Sequence, residues 1–593
     1  MNRSISILLL LSIHIVALAQ EDKILPPVLP WKGKSIELIA KPGHPWITPA
    51  EQSDFVNTPS YAETIAWFTK LCTSSEVLEL ITVGQSANGR PIIMIIGSQD
   101  GAFDKTALQK SSKPLLFVQA GIHAGEIDGK DAGMMLLRDI AFGKKKDLLK
   151  NVNILFIPIL NVDGHERISA YNRVNQRGPA NMGWRTNGRN LNLNRDYMKL
   201  DTEEIRAVVG VMNDYNPTLY LDLHVTDGAD YQYDITYGYT AYSPAIYKWL
   251  NKTLQPAADK GLKDNGHIPG PLMFAVNDRD FAKGNAEFAY SPRFSNTYGD
   301  IRRTPSILIE NHSLKPFKQR VLGTYVFLES ILTVLSTDGA SLKKVIQEDR
   351  ALRNREIILT WNLADKPDSM VLLGVESKIE KSLITNKDFV RWTGKPVTQK
   401  IPFVKYNKPG ETIKRPTAYW VPATYKNVID RLALHGIKME KITDVKTVQV
   451  ELYRLSNHKF SATPFEGHFT MTAAAKAEKH AEIFYPGSVR ISTDQELGDL
   501  AIQLLEPISP DSFFAWGFFP EIFNQTEYIE EYAIEPLARL MLAKDEKLRQ
   551  EFELKKQENS EFLNDPAAVY NWFYTRSPYV DGRYLVYPVG VER

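Results

Sequence analysis

The chain has 593 residues, of which 43% are hydrophobic and 24% charged: the composition of an ordinary globular protein, and a length beyond what one core supports. A formal net charge of +1 excludes a global field that would favour nucleic acid or an anionic membrane surface. The single cysteine, Cys72, excludes an intramolecular disulfide and a cysteine-based metal cluster, and its apolar surroundings predict a core position.

The first twenty residues have the anatomy of a secretory signal. Arg3 supplies a positive start, Ile5 to Leu11 is mostly apolar, and Ala17-Leu18-Ala19 is a small-residue cleavage pattern. Removal of residues 1–19 predicts a soluble mature protein, secreted or periplasmic, because no later segment reads as long and apolar enough to cross a bilayer. The Lys144-Lys145-Lys146 run reads as solvated surface.

From about residue 85 to residue 335, apolar runs alternate with amphipathic segments. The runs Ile92–Ile96, Leu115–Ala120, Val152–Leu160, Leu219–Leu223 and Ser306–Glu310 predict strands buried on both faces. Gly129–Ile140 and Asp201–Asp214 carry a helical pattern, and Val321–Leu335 predicts a closing helix. The alternation predicts an α/β domain over residues 20–340. Beyond it, a charged helical stretch, Ser341–Arg355, leads to shorter strand patterns at Glu356–Trp361, Tyr419–Val421, Val448–Leu455 and Ser488–Ser492. A helical region, Tyr528–Phe562, follows. Residues 341–593 therefore read as an α+β accessory region, expected to frame the entrance of a site in the first domain.

The chemistry concentrates at strand ends. Directly after Leu115–Ala120 comes Gly121-Ile122-His123-Ala124-Gly125-Glu126, a His and a carboxylate three residues apart that can converge on one metal ion. The pair alone is weak. The run Leu219-Tyr220-Leu221-Asp222-Leu223-His224 supplies a second histidine at a second strand end, where open α/β sheets gather their functional groups. Among eleven histidines, His123 and His224 are the two that end such runs near acidic and glycine residues. Ser306-Ile307-Leu308-Ile309-Glu310 places an acid at the end of a third apolar run. A carboxylate there is costly unless paired or functional, and it suits the role of general base toward water. Between the histidines lies Gly183 to Tyr197, dense in Arg and Asn, whose guanidinium groups can fork a carboxylate or steady an oxyanion.

His123-x-x-Glu126, Trp184-Arg185, Asn194-Arg195, His224 and Glu310, in this order, resemble the zinc carboxypeptidase family typified by carboxypeptidase A, as does the Asn161-Val162-Asp163-Gly164 turn. The resemblance, to an exported bacterial-type member with a C-terminal extension, covers roughly residues 50–335. It implies a mixed twisted sheet between helices and one zinc ion per chain, held by His123, Glu126 and His224. It also implies that Glu310 activates a water on the metal and that Arg185 polarises the scissile carbonyl. Asn194 and Arg195 would grip the terminal carboxylate of a peptide substrate, Tyr290 or else the nearby Tyr298 would close over it, and the stretch Ser291–Asp300 would shape the specificity pocket. Where the family has an acid two residues before the Asn-Arg pair, this chain has Asn192. The activity implied is that of a metallocarboxypeptidase. The same fold also serves cell-wall peptide amidases, and a peptidase-like binding protein would have lost a ligand or the base.

Overall fold

The computed structural model describes residues 24–288, 290–558 and 561–593. The expected signal peptide lies outside the described residues. Between residues 78 and 311 the chain forms an eight-stranded sheet. Its strands are β1 (Leu78–Gln85), β2 (Pro91–Gly97), β3 (Leu115–Ala120), β4 (Asn153–Ile157), β5 (Leu219–Val225), β6 (Ile235–Gly238), β7 (Pro269–Pro271) and β8 (Ser306–Asn311). Their spatial order is β1-β2-β4-β3-β5-β8-β6-β7. The central four strands pair in parallel. β1, β2 and β6 join them through antiparallel ladders, which makes the sheet mixed.

Both faces of the sheet are covered, and period-two alternation assigns each residue to one of them. In β3, Leu116, Val118 and Ala120 face a core shared with the helices Asp128–Phe142 and Phe317–Arg350, while Phe117 faces the opposite core. In β5, Leu219, Leu221 and Leu223 take the first face and Tyr220 the second. Ile307 and Ile309 of β8 also take the first face. Asp222, His224 and Glu310 are therefore in phase with the second face.

The helix Glu203–Tyr215 covers that second face. Thr202 caps it by accepting from the Ile205 amide, Glu203 and Glu204 complement its dipole, and Asn216 ends it at a left-handed φ of 47°. The helix Phe317–Arg350 spans 34 residues and joins two stretches that the sequence analysis separates. Gly339 does not end it. A Cβ there would stand 2.3 Å from Pro114 Cγ, so the glycine permits close approach to the loop before β3. This helix corrects one expectation: it is long and apolar enough to cross a membrane. Here most of its apolar window is buried in protein, against the helices Asp128–Phe142 and Gln255–Asp264.

The later residues add further sheets and helices. Their longest feature is a hairpin, Asp368–Lys381 with Asp388–Val404, that has no counterpart in the sequence analysis. Its strands are largely exposed, so they lack the apolar run by which a buried strand is read. A six-stranded sheet includes Ala418–Val421, the hairpin Lys446–Phe460 with Met471–Phe484, and Val586–Glu592. Its core is continuous with the second face of the first sheet: Val208, Met212 and Tyr298 belong to one cluster with Leu432, Phe513, Trp516 and Tyr587. Cys72 is buried, and burial pushes its thiol up to about 12, which suits a packing role.

Candidate metal centre

Three adjacent parallel strands carry the expected groups to one end of the sheet. β3 ends at Ala120, and Gly121 turns the chain at a φ of 67°, a left-handed value that favours glycine. That turn swings His123 and Glu126 back over the strand ends. Gly125 admits its neighbours closely, since a Cβ there would meet Arg173 Cδ at 2.4 Å and the Gly183 carbonyl at 2.9 Å. In the parallel ladder between β5 and β8, His224 and Glu310 are register partners.

His123, Glu126 and His224 are all buried, and one ligand atom from each lies within 4.8 Å of the others. Nδ1 of His123 is 3.0 Å from Glu126 Oε1, and Nδ1 of His224 is 2.9 Å from Glu126 Oε2. A tetrahedral zinc with bonds of about 2.0–2.1 Å separates its ligands by roughly 3.3 Å, so the group is near that size. The far nitrogens are anchored. His224 Nε2 lies 2.7 Å from Asp222 Oδ2, and Gln119 holds the other Asp222 oxygen at 2.9 Å. His123 Nε2 lies 2.9 Å from Asn192 Oδ1. A ligand imidazole is commonly held this way, with one nitrogen to the metal and the other to an oxygen acceptor. The donor set fits zinc.

The electrostatics agree with a place for a cation. Burial pushes His123 down to about 4, toward the neutral form that a ligand needs. Burial opposes charge on His224 as well, but Asp222 and Glu126 outweigh it and hold its proton well above the ordinary range. Glu126 is held well below the carboxylate range despite burial, by His123 and Arg173 above all. Its oxygens also accept from Arg185 Nη1 at 3.1 Å and from the Val225 amide at 3.1 Å. Glu310 behaves oppositely. Burial pushes it up to about 8, against the pull of His224, and its Oε2 is sealed from solvent without a hydrogen-bond partner among the described residues.

The Arg- and Asn-rich segment lies against this cluster. Asn161 caps the turn Val162–His165 through the Gly164 amide and donates its Nδ2 to the Arg185 carbonyl, which ties the loop to the end of β4. Asn194 Nδ2 lies 3.3 Å from His224 Nε2, and Asn194 Oδ1 accepts from the Ser295 amide at 2.9 Å. The Arg195 guanidinium lies over the Phe294 ring at 4.3 Å, and its one hydrogen bond among the described residues goes to the Asn194 carbonyl. Burial, with Arg185 and Arg293 nearby, pushes its guanidinium down to about 10. No carboxylate among the described residues stands within ion-pair distance of it. The structure thus brings together His123, Glu126, His224, Glu310, Arg185, Asn194 and Arg195. Tyr290 stands apart: it stacks on Tyr242 at 5.6 Å between centroids, with its hydroxyl buried and without a partner among the described residues.

Sequence reasoning passed over Arg173, whose Nη1 donates to Glu126 Oε1 at 2.9 Å. It sits in an irregular stretch with no local pattern to single it out. It also passed over Asp222. Asp222 was legible in principle, because it precedes His224 by two residues on a strand and so shares its face.

Residues 64–293 match the zinc carboxypeptidase family. Carboxypeptidase 2 of Trichophyton rubrum is 23% identical over 495 residues, covering 79% of this chain and 86% of that protein. Carboxypeptidase 2 of Trichophyton equinum is 23% identical over 505 residues, covering 80% and 87%. Among solved structures, carboxypeptidase A from Helicoverpa armigera is similar with a TM-score of 0.38 and 17% identity, over 55% of this chain and 81% of that one. A metallo-carboxypeptidase from Burkholderia cenocepacia has a TM-score of 0.36 and 16% identity, over 47% and 70%.

Proposed function

We propose, on the premise that this chain carries a zinc carboxypeptidase domain and is a zinc metallopeptidase, that it releases the last residue of peptides with a free carboxyl terminus. The observation that carries this reading is the buried His123–Glu126–His224 group with an oxygen acceptor behind each imidazole. These three residues would hold one zinc ion per chain. Zinc in such a set acidifies water and polarises a carbonyl oxygen.

The protein's own groups supply the rest. Glu310 accepts the proton of the attacking water on its unpartnered Oε2 and returns it to the leaving amine. With a metal held by the three candidate ligands, Glu310 would be favoured in the carboxylate form that this step needs. Arg185 turns from Glu126 toward the oxyanion that develops on the scissile carbonyl. Arg195, free of any paired acid among the described residues, forks the terminal carboxylate, and Asn194 sets its height. Ser295 and Asn296 carry buried polar atoms without partners among the described residues, and Asn296 lines a cavity of about 180 Å³ with Tyr237, Tyr239, Leu272 and Phe288. The side chain of the released residue would enter there. Tyr290 must leave its stack on Tyr242 to cap the substrate.

The domain at residues 20–340 would bear the chemistry, with residues 341–593 framing it. Cleavage after Ala19 would place the mature protein outside the cytoplasm, and a mature N-terminus other than Gln20 would count against it. The deciding experiment is elemental analysis of protein purified without added zinc, with His224→Ala in parallel. About one zinc per chain in the wild type, absent from the variant, supports the reading. A folded wild type that refuses zinc overturns it.

A further inference from the structure

The groups described so far come from residues 119–310, yet one carboxylate beside them comes from the far part of the chain. The hairpin Lys446–Phe460 with Met471–Phe484 is joined by residues 461–470, which reach the loop that precedes the candidate carboxylate grip. Side chains on both sides of Glu466 fasten this connection. Phe465 stacks on Trp516 at 5.9 Å, and the Arg293 guanidinium lies over both rings while bonding Asp511. His468 Nε2 lies 2.6 Å from Asp201 Oδ2, an acid that also pairs with Lys199 and Arg431. Between these anchors Glu466 has a φ of 48°, a left-handed conformation that a non-glycine residue adopts against its own sterics. Its Oε2 accepts from the backbone amide of Asn192 at 2.7 Å.

Asn192 opens the turn Leu193–Arg195, and each functional atom of the turn depends on its placement. Asn192 Oδ1 holds both His123 Nε2 and the Asn194 amide, at 2.9 and 3.0 Å. Asn194 reaches His224 and Ser295, and Arg195 follows it. We propose that Glu466 is a positioning residue of the peptidase site: by gripping the Asn192 N–H from the accessory region, it fixes the turn that orients His123 and presents Arg195. This inference rests on the metal-site reading above. Asn192 is buried, so loss of the acceptor leaves a donor unsatisfied and frees the turn to shift. The Glu466 charge also acts on Arg195, where it opposes the repulsion from Arg185 and Arg293. Among the described residues, no segment before residue 341 supplies that acceptor, so the site draws one of its supports from the accessory hairpin.

The test uses the full chain with Glu466→Ala and Glu466→Gln. Zinc affinity is measured by chelator competition, kcat and KM on a peptide with a free carboxyl terminus, and melting temperature alongside. The alanine variant should bind zinc up to about 10-fold more weakly, because Asn192, the outer partner of the candidate ligand His123, loses its hold. It should raise KM more than it lowers kcat, with the melting temperature nearly unchanged. The glutamine variant keeps a carbonyl acceptor for the Asn192 amide and should restore zinc affinity. Wild-type zinc affinity and KM in the alanine variant overturn the role of Glu466, as does a glutamine variant as impaired as alanine. A wild type without zinc overturns the metal-site reading, and this inference with it.

Discussion

His224 and Glu310 stand side by side as register partners on adjacent parallel strands, in phase with the same face of the sheet. One is a candidate ligand, and the other carries a buried oxygen without a partner. That arrangement separates metal binding from proton transfer. Glu310→Gln is expected to keep zinc and lose activity by about 10²–10⁴-fold, the usual contribution of a general base. Zinc content and kcat measured on the same preparation check it, and wild-type turnover would remove Glu310 from the role.

The Asp222 carboxylate acts behind His224. Asp222→Asn should weaken zinc binding about 10–100-fold while the fold survives, because an amide still fills the space but orients the imidazole less firmly. Chelator competition reads this directly. Unchanged affinity would mean that Asp222 serves only the hydrogen bond from Gln119.

Among the described residues, the Arg195 guanidinium makes one hydrogen bond, to the Asn194 carbonyl, and lies over the Phe294 ring. Arg195→Ala should raise KM about 10–100-fold on peptides with a free terminus, from the loss of a charge-assisted bond of about 1.5–3 kcal/mol. The same variant should change little on a peptide whose terminus is amidated. An equal effect on both substrates would show that Arg195 supports structure and does not read the carboxylate.

His435 supplies a pH dependence away from the metal site. It is wholly buried, its Nε2 faces the Met198 carbonyl at 3.0 Å, and its Nδ1 faces the Tyr298 hydroxyl at 2.7 Å. The carbonyl can only accept, so Nε2 carries the proton and Nδ1 accepts from Tyr298. Burial pushes the folded pKa down to about 3, and Arg302 and Arg431 push the same way against the Met198 bond. A depressed folded value means the contribution is complete above the unfolded pKa of about 6.5 and is lost as pH falls toward 3. The loss is about 1.4 kcal/mol for each pH unit in that window. Melting temperatures from pH 7 to pH 4 should therefore fall less steeply in His435→Gln than in wild type. Parallel slopes would discount the histidine.

The two regions share one apolar cluster, in which Val208, Met212 and Tyr298 meet Leu432, Phe513 and Trp516. Truncation after Arg350 would expose that face. It should yield an aggregating or partly folded product, read by circular dichroism and size exclusion. A monomeric truncation with full activity and unchanged selectivity would show that the accessory region neither supports nor frames the site.

Much of this protein is legible in its residues taken in order. The apolar runs ending at Ala120, Leu223 and Glu310 mark strands buried on both faces, because such strands lose the polar alternation of an exposed sheet. A histidine or acid at or just beyond the end of each run is conspicuous against that background, so the candidate ligands His123, Glu126 and His224 and the candidate base Glu310 could be singled out from the sequence, and the family resemblance supplied the metal. What only the tertiary structure decided are relationships between segments with no local signature. Arg173 meets Glu126 from an irregular stretch, and Asn192 takes the place behind His123 by coming near in space. Glu466 reaches Asn192 across 274 positions of chain. Local patterns record which face of an element is buried, since burial acts on each residue through its immediate neighbours. Which distant side chain completes a hydrogen bond depends on how whole elements pack, and no periodicity of the chain encodes it.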